Sequence, residues 1–499
     1  MHRDLQSVFC RRSFDPPRPA ETVASKHRGE RITDWPTLFP LRESVPQVPQ
    51  SCLRRRRGRP AESGMVRRIQ LEGSLDMRCP TWFLPALVAL AGCGQTAVAA
   101  DTSMAWQAWE AGHVARAGAL AKEFLNSPES ADEALHLLTL TKMVNGRYAD
   151  ALANHARIDE SYDRYGGLDG VVIDCLLHLG RYAEAERFAI KREKPRVDLN
   201  VLKLRAGAPL NVSLDGTTVI PFAQHPLAEY FPAFDAEVEG QDLVVHVDTG
   251  GTFLIMGPHR AEKLRIELVE AGSGFHGSQR VSLSVGTAKE FKIGAAVLEN
   301  VPVAVMPTLS GAQDFVIFGT NVLQQFHSTL DYPNRRLILS PRGHAELREQ
   351  HMAMLPTDRV EVPFHMWGDH YMFAKGSVNQ RDDLNFFIDS GLVSLHPGGQ
   401  GGFRQAAFMS SKQNYAKWGY PPEEINRPVF KSDWPIGLGT LTQDELWFVP
   451  GTVGTGKFGG VQMHGLLSHA FLKKYAWTLD FDQFKYVFSV PRTSADVER

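Results

Sequence analysis

The chain has 499 residues, 43% hydrophobic and 22% charged, with a formal net charge of −2. It is too long for one ordinary domain, and its composition is that of a soluble globular protein rather than a fibrous or wholly disordered one. The first 93 residues hold 16 Lys+Arg against 9 Asp+Glu, which leaves −9 for the remainder, and nothing after residue 93 forms a basic patch dense enough for a nucleic-acid partner.

Residues 1–76 are rich in Pro and Arg, with Arg54 to Arg57 in a row, and show no sustained apolar period. They read as a non-native or disordered leader. Residues 77–100 read as a signal peptide or lipoprotein signal. Arg78 supplies the charged start, Trp82 to Leu90 a short apolar stretch, and Ala91-Gly92-Cys93 the small residues. Because signal peptides act from the N-terminus, Met77 or Met65 is the expected start. Two processing outcomes fit. Leu90-Ala91-Gly92-Cys93 resembles a bacterial lipoprotein signal, which would lipidate Cys93, whereas Ala97-Val98-Ala99 resembles an ordinary cleavage site. Either makes the protein exported, periplasmic in one case and lipid-anchored to a bacterial membrane in the other. Of the five cysteines only Cys175 lies in the globular body, so an internal disulfide is not expected there.

Residues 104–195 are Ala-, Leu- and Glu-rich with helical spacing. Gly112-His113-Val114-Ala115, Gly146-Arg147-Tyr148-Ala149 and Gly180-Arg181-Tyr182-Ala183 recur at intervals of 34 residues. This resembles tetratricopeptide repeats, in which helix pairs stack on one another. Two uses are open: a groove for a peptide or protein partner, or a helical spacer against the next domain. Pro195 and the irregular residues after it make 196–229 the expected linker.

From residue 230 the pattern turns to short alternating runs broken by Gly, Pro, Asn and Asp, the grammar of β structure. Leu243-Val244-Val245-His246-Val247 ends in Asp248-Thr249-Gly250-Gly251, and 141 residues later Leu384-Asn385-Phe386-Phe387-Ile388 ends in Asp389-Ser390-Gly391. The flanks match in order. From the Asp to an Ile-Gly pair is 45 residues in the first copy and 47 in the second, and from the Asp to a closing Leu-Asp is 83 against 91. A tandem duplication follows, with units at 230–342 and 357–491. Asp331 and Asp480, which also recur, read as turn acids before hairpins.

These motifs, with Ile317-Phe318-Gly319, resemble the retropepsin-like aspartic proteases, bacterial relatives of the retroviral and pepsin-type enzymes. The resemblance implies a multidomain chain: α-helical tetratricopeptide-like repeats, then a mainly-β bilobal acid-protease fold whose two units are related by a pseudo-twofold axis. It implies that Asp248 and Asp389 meet as a catalytic dyad that activates water against a peptide bond, sharing one proton. Thr249, Gly250, Ser390 and Gly391 would support the dyad, and Gly272 to Gly277 would form a flap or an ordinary surface loop. No cofactor and no metal are implied, and the partners are a peptide or protein substrate and a protein on the repeats, with no nucleic acid and no membrane contact beyond a lipid anchor.

Two departures fall beside the second loop. Leu392 stands where relatives place Ser, Thr or Ala, and Ser468 occupies the position matching Gly319. Either could displace Asp389, which leaves open a catalytically inert peptide-binding lipoprotein, or a site made by the first copies of two chains.

Overall fold

The computed structural model describes residues 102–276, 279–309, 315–398, 403–451 and 455–490. The expected leader, export signal and Cys93 lie outside the described residues.

The helical region comprises α1 (Ser103–Glu110), α2 (Val114–Glu123), α3 (Ala131–Val144), α4 (Tyr148–His155), α5 (Asp169–His178), α6 (Tyr182–Lys191) and α7 (Arg196–Gly207). Gly112, Gly146 and Gly180 end α1, α3 and α5 at φ +76°, +71° and +68°, a left-handed conformation that an added Cβ would strain. After each, the next N–H reaches back to a helix carbonyl: His113 to Ala108 at 2.8 Å, Arg147 to Lys142 at 2.9 Å and Arg181 to Leu176 at 2.8 Å. The same Gly-centred C-cap thus recurs three times. Ala105, Ala117, Ala121, Ala151 and Ala185 are fully buried. Their small side chains let neighbouring helices approach closely.

Segment 196–229, expected as a linker, instead carries α7 and the strand β1 (Thr218–Pro221). The strands that follow in the first half are β2 (Ala233–Val238), β3 (Gln241–Asp248), β4 (Leu254–Met256), β5 (Val269–His276), β6 (Gln279–Ile293), β7 (Ala296–Val305) and β8 (Val316–Gly319). A short helix, α8 (Thr320–Leu323), precedes β9 (Phe326–Asp331) and β10 (Arg336–Pro341), and α9 (Ala345–Ala353) leads to the second half. There we number β11 (Arg359–Trp367), β12 (Tyr371–Val378), β13 (Arg381–Asp389), β14 (Phe403–Ser410), β15 (Ile436–Leu438), β16 (Gly465–Ser468), β17 (Ala476–Asp480) and β18 (Lys485–Ser489).

The two Asp-bearing strands have the same neighbours. In the order β4-β8-β3-β2, the pairings are antiparallel, parallel and antiparallel. The order β14-β16-β13-β12 repeats that sequence of directions. Both strands are central, so their apolar side chains are covered: Val245 and Val247 in β3, and Phe386 and Ile388 in β13, are fully buried.

Six strands join the halves in the order β1-β10-β9-β17-β18-β11, three from each half and antiparallel throughout. At the seam Thr329 faces Thr478, and their buried hydroxyls lie 2.6 Å apart. Asp331 and Asp480 close the strands beside that seam. Both accept turn N–H groups, and both are also fully buried and ion-paired, Asp331 with Arg336 at 2.7 Å and Asp480 with Arg348 at 2.5 Å. They are therefore internal ion-pair partners as well as turn acids.

The helical region rests on the second half through its glycine turns. Asn385 of β13 donates to the Ala111 carbonyl at 3.1 Å, His365 of β11 meets Asn145 at 2.9 Å, and Trp109 donates to the Gly459 carbonyl at 2.9 Å. A Cβ on Gly146 would collide with the Phe484 ring. Phe373, Val461 and Met463 of the β region complete the apolar core of the helices.

Candidate active site

Each Asp sits where a parallel strand pair ends. Asp248 is in register with Gly319 across β3 and β8, and Asp389 with Ser468 across β13 and β16. Gly319 is required by contact: a Cβ there would lie 1.8 Å from the Thr252 carbonyl oxygen. Ser468 has room for a side chain, and its hydroxyl donates to the Ala406 carbonyl and caps Ala470. The Thr320 N–H donates to the Gly251 carbonyl at 3.0 Å, and its hydroxyl to the Thr249 carbonyl at 2.8 Å.

The two loops interlock through hydroxyls. Ser390 N–H donates to Thr249 Oγ1 at 2.9 Å, and Thr249 N–H donates to Ser390 Oγ at 3.0 Å. Each hydroxyl in turn donates onward into the other half, Thr249 to the Ile388 carbonyl at 3.2 Å and Ser390 to the Val247 carbonyl at 3.5 Å. Thr249 and Ser390 are fully buried, so every one of these groups needs a protein partner.

That interlock aims the carboxyls at one another. Gly250 N–H donates to Asp248 Oδ1 at 2.7 Å, and Gly391 N–H to Asp389 Oδ1 at 2.8 Å. The opposing glycines leave the space. A Cβ on Gly391 would lie 2.0 Å from Asp248 Cγ, and one on Gly250 would lie 2.6 Å from Asp389 Cγ. Each carboxyl therefore lies against the glycine of the opposite loop, and the two face each other within one chain. Burial first, then the charge and hydrogen bond of Asp248, hold Asp389 well above the usual carboxylate range, against the pull of the Gly391 and Leu392 N–H groups.

Leu392 does not push Asp389 aside. It is buried among Phe387, Ala406, Met409, Val449 and Leu466, pointing into the second half. The stretch expected as a flap is one strand of the hairpin β5–β6, with a register shift between Glu270 and Ser273 and Gly272 at φ +78°. Gly277 lies outside the described residues.

A family model described as "Aspartyl protease" matches residues 234–322. The match spans β2 to α8 and takes in Asp248, Thr249 and Gly250, and it ends before Asp389. The chain is similar to a retropepsin-like aspartic protease from Rickettsia conorii, at 20% identity over 27% of this chain and 95% of that one, with a TM-score of 0.21. It is also similar to the aspartic proteinase from Irpex lacteus, at 10% identity over 56% of this chain and 99% of that one, with a TM-score of 0.36. No curated protein matches it.

Several groups near the two Asp loops carry no signal in the sequence. His246, two residues before Asp248, is buried between Phe231 and Phe315, and burial pushes it down to about 3. Asp369, in the β11–β12 turn, accepts from the Thr252 hydroxyl at 3.3 Å and pairs with His370 at 2.5 Å. A Gly-Asp-His turn resembles any surface turn, so only the folded chain brings it to the Asp248 loop.

Proposed function

We propose that this chain is an aspartic endopeptidase that hydrolyses peptide bonds through the Asp248/Asp389 pair. The observation that carries the reading is the facing pair of carboxyls, each against the glycine of the opposite loop and held by the Thr249/Ser390 interlock. A pair sharing one proton contains a base and an acid side by side. The ionised carboxyl takes a proton from water as the water oxygen bonds to the scissile carbonyl carbon, while the protonated carboxyl donates to the carbonyl oxygen. Collapse of the resulting diol breaks the C–N bond: the carboxyl protonated by water donates to the departing amine nitrogen, and the other, now ionised, takes a diol hydroxyl proton, which leaves a carboxylic acid, an amine and one proton on the pair.

The matched strand directions around the two Asp residues and the six-strand seam support two retropepsin-like units related by a pseudo-twofold axis. The three Gly-centred caps at 34-residue spacing support tetratricopeptide-like repeats. Hairpin β5–β6 is the flap in this reading. Export, with lipidation at Cys93 or cleavage after Ala99, rests on the signal-like stretch alone, and the mass of the mature N-terminus tests it.

Purified protein incubated with a broad peptide library tests the activity. Cleavage that falls by roughly 10²–10⁴-fold in Asp248→Asn supports the pair as acid and base. Cleavage that survives the substitution assigns the activity elsewhere, and peptide binding without cleavage by the wild type would make the protein a binder.

A further inference from the structure

The last side chain of the Asp248 loop, Thr252, is held from the other half of the protein. Its hydroxyl donates to Asp369 Oδ2 at 3.3 Å, while His370 Nδ1 meets Asp369 Oδ1 at 2.5 Å. The Asp369 backbone carbonyl accepts from Asn321 Nδ2 at 3.0 Å. Asn321 follows Thr320, the residue that binds the Gly251 and Thr249 carbonyls. Asp369 thus holds the loop at two points, through Thr252 and through α8.

The turn bearing Asp369 is itself tied to the helical region. The Gly368 carbonyl lies 3.0 Å from His178 Nε2 of α5. Burial pushes Asp369 upward, but His370, Arg205 of α7 and His178 outweigh it and hold the carboxyl below the usual range. The ionised carboxylate is an acceptor shared between the Thr252 hydroxyl on one oxygen and His370 on the other.

The second loop shows that such a polar hold is not required by the fold. Val393 stands four residues after Asp389, as Thr252 stands four after Asp248, and it packs in an apolar cluster with Phe231, Ile255 and Ile317. One loop is closed by apolar packing and the other by a carboxylate carried on a turn that the helices touch.

We propose that Asp369 is a positioning residue that sets the Asp248 loop for reaction by holding Thr252, and that the α5 contact at Gly368 places it there. The kinetic part of this proposal rests on the peptidase reading. The step it adds is geometric, since displacement of a reacting group by about 1 Å is enough to cost on the order of 10²-fold in rate.

The test is a double-mutant cycle on the full chain, with amide hydrogen exchange of residues 250–252 measured in parallel. Asp369→Ala and Thr252→Val are each expected to lower kcat by about tenfold with KM within about twofold, the double variant to be no worse than either single, and Thr252→Ser to retain wild-type kcat. Exchange at residues 250–252 is expected to rise about tenfold in Asp369→Ala and Thr252→Val, with global unfolding near wild type. Unchanged exchange, or rate losses that multiply, overturns the positioning role while leaving the peptidase reading intact. A wild type that cleaves nothing removes the peptidase reading, and the exchange result then decides the Asp369–Thr252 hold alone.

Discussion

Thr249 and Ser390, 141 residues apart, exchange hydrogen bonds: each hydroxyl accepts the other's backbone N–H, at 2.9 and 3.0 Å. This exchange, rather than either Asp, fixes how the halves meet at the site. The carboxyls are then carried one residue before each hydroxyl, facing across the seam.

Removing one hydroxyl leaves a buried N–H without its acceptor. Thr249→Val and Ser390→Ala are each expected to destabilise the protein by about 1–3 kcal/mol, read by urea unfolding. Peptide cleavage is expected to fall in both, because the carboxyls lose their shared reference frame.

The glycines opposite each carboxyl give a second prediction. Gly391→Ala and Gly250→Ala put a methyl into the space of Asp248 and Asp389, respectively. We expect each to lower kcat by about tenfold or more, while Gly456→Ala, whose added Cβ meets nothing within 4 Å, serves as the unaffected control.

Acid should weaken the fold. Burial lowers His246 and His351 to about 3 and His327 to about 4. A histidine with a depressed folded pKa contributes stability that is present above its unfolded value near 6.5 and is lost as pH falls toward the folded value. Unfolding free energy is therefore expected to fall between pH 6.5 and about 4, each buried ring contributing a slope of about 1.4 kcal/mol per pH unit. Stability that is flat or rising over that range would contradict the burial of these rings. Asp389 holds its proton above the usual carboxylate range. Cleavage is accordingly expected to persist above that range rather than peak where the fold is weakest.

Asp174 works in the opposite direction. Burial and the neighbouring Asp369 raise it to about 7, against Arg205 and His370. An acid with a raised folded pKa contributes stability that is present below its unfolded value near 3.8 and is lost as pH rises through about 7. Asp174→Asn is thus expected to be more stable than wild type at pH 8 and nearly equal to it at pH 4, again by urea unfolding.

Local grammar accounts for what is legible in the sequence. Asp-hydroxyl-Gly after an apolar strand states its own structure, and the repeat of its ordered flanks predicts two similar units. The 34-residue glycine spacing likewise specifies the helix caps. What cannot be read locally depends on distant partners. Helix α7 follows Pro195 and mixes Arg196, Asp198, Asn200 and Lys203 with its apolar residues, a weak amphipathic signal that its packing against the β region overrides. Asp480 looks only like a turn acid in the sequence because its partner, Arg348, lies 132 residues away. Leu392 looks disruptive beside Asp389, but the side chain enters an apolar cluster built from β13, β14 and β16.

The peptidase claim is tested most directly by incubating single-chain wild type and Asp389→Asn with the same peptide library and identifying products by mass spectrometry. We expect the wild type to cleave internal peptide bonds and Asp389→Asn to lose roughly 10²–10⁴-fold of that rate while remaining folded. Undiminished cleavage by Asp389→Asn, or none by the wild type, would contradict a catalytic pair formed by Asp248 and Asp389 of one chain.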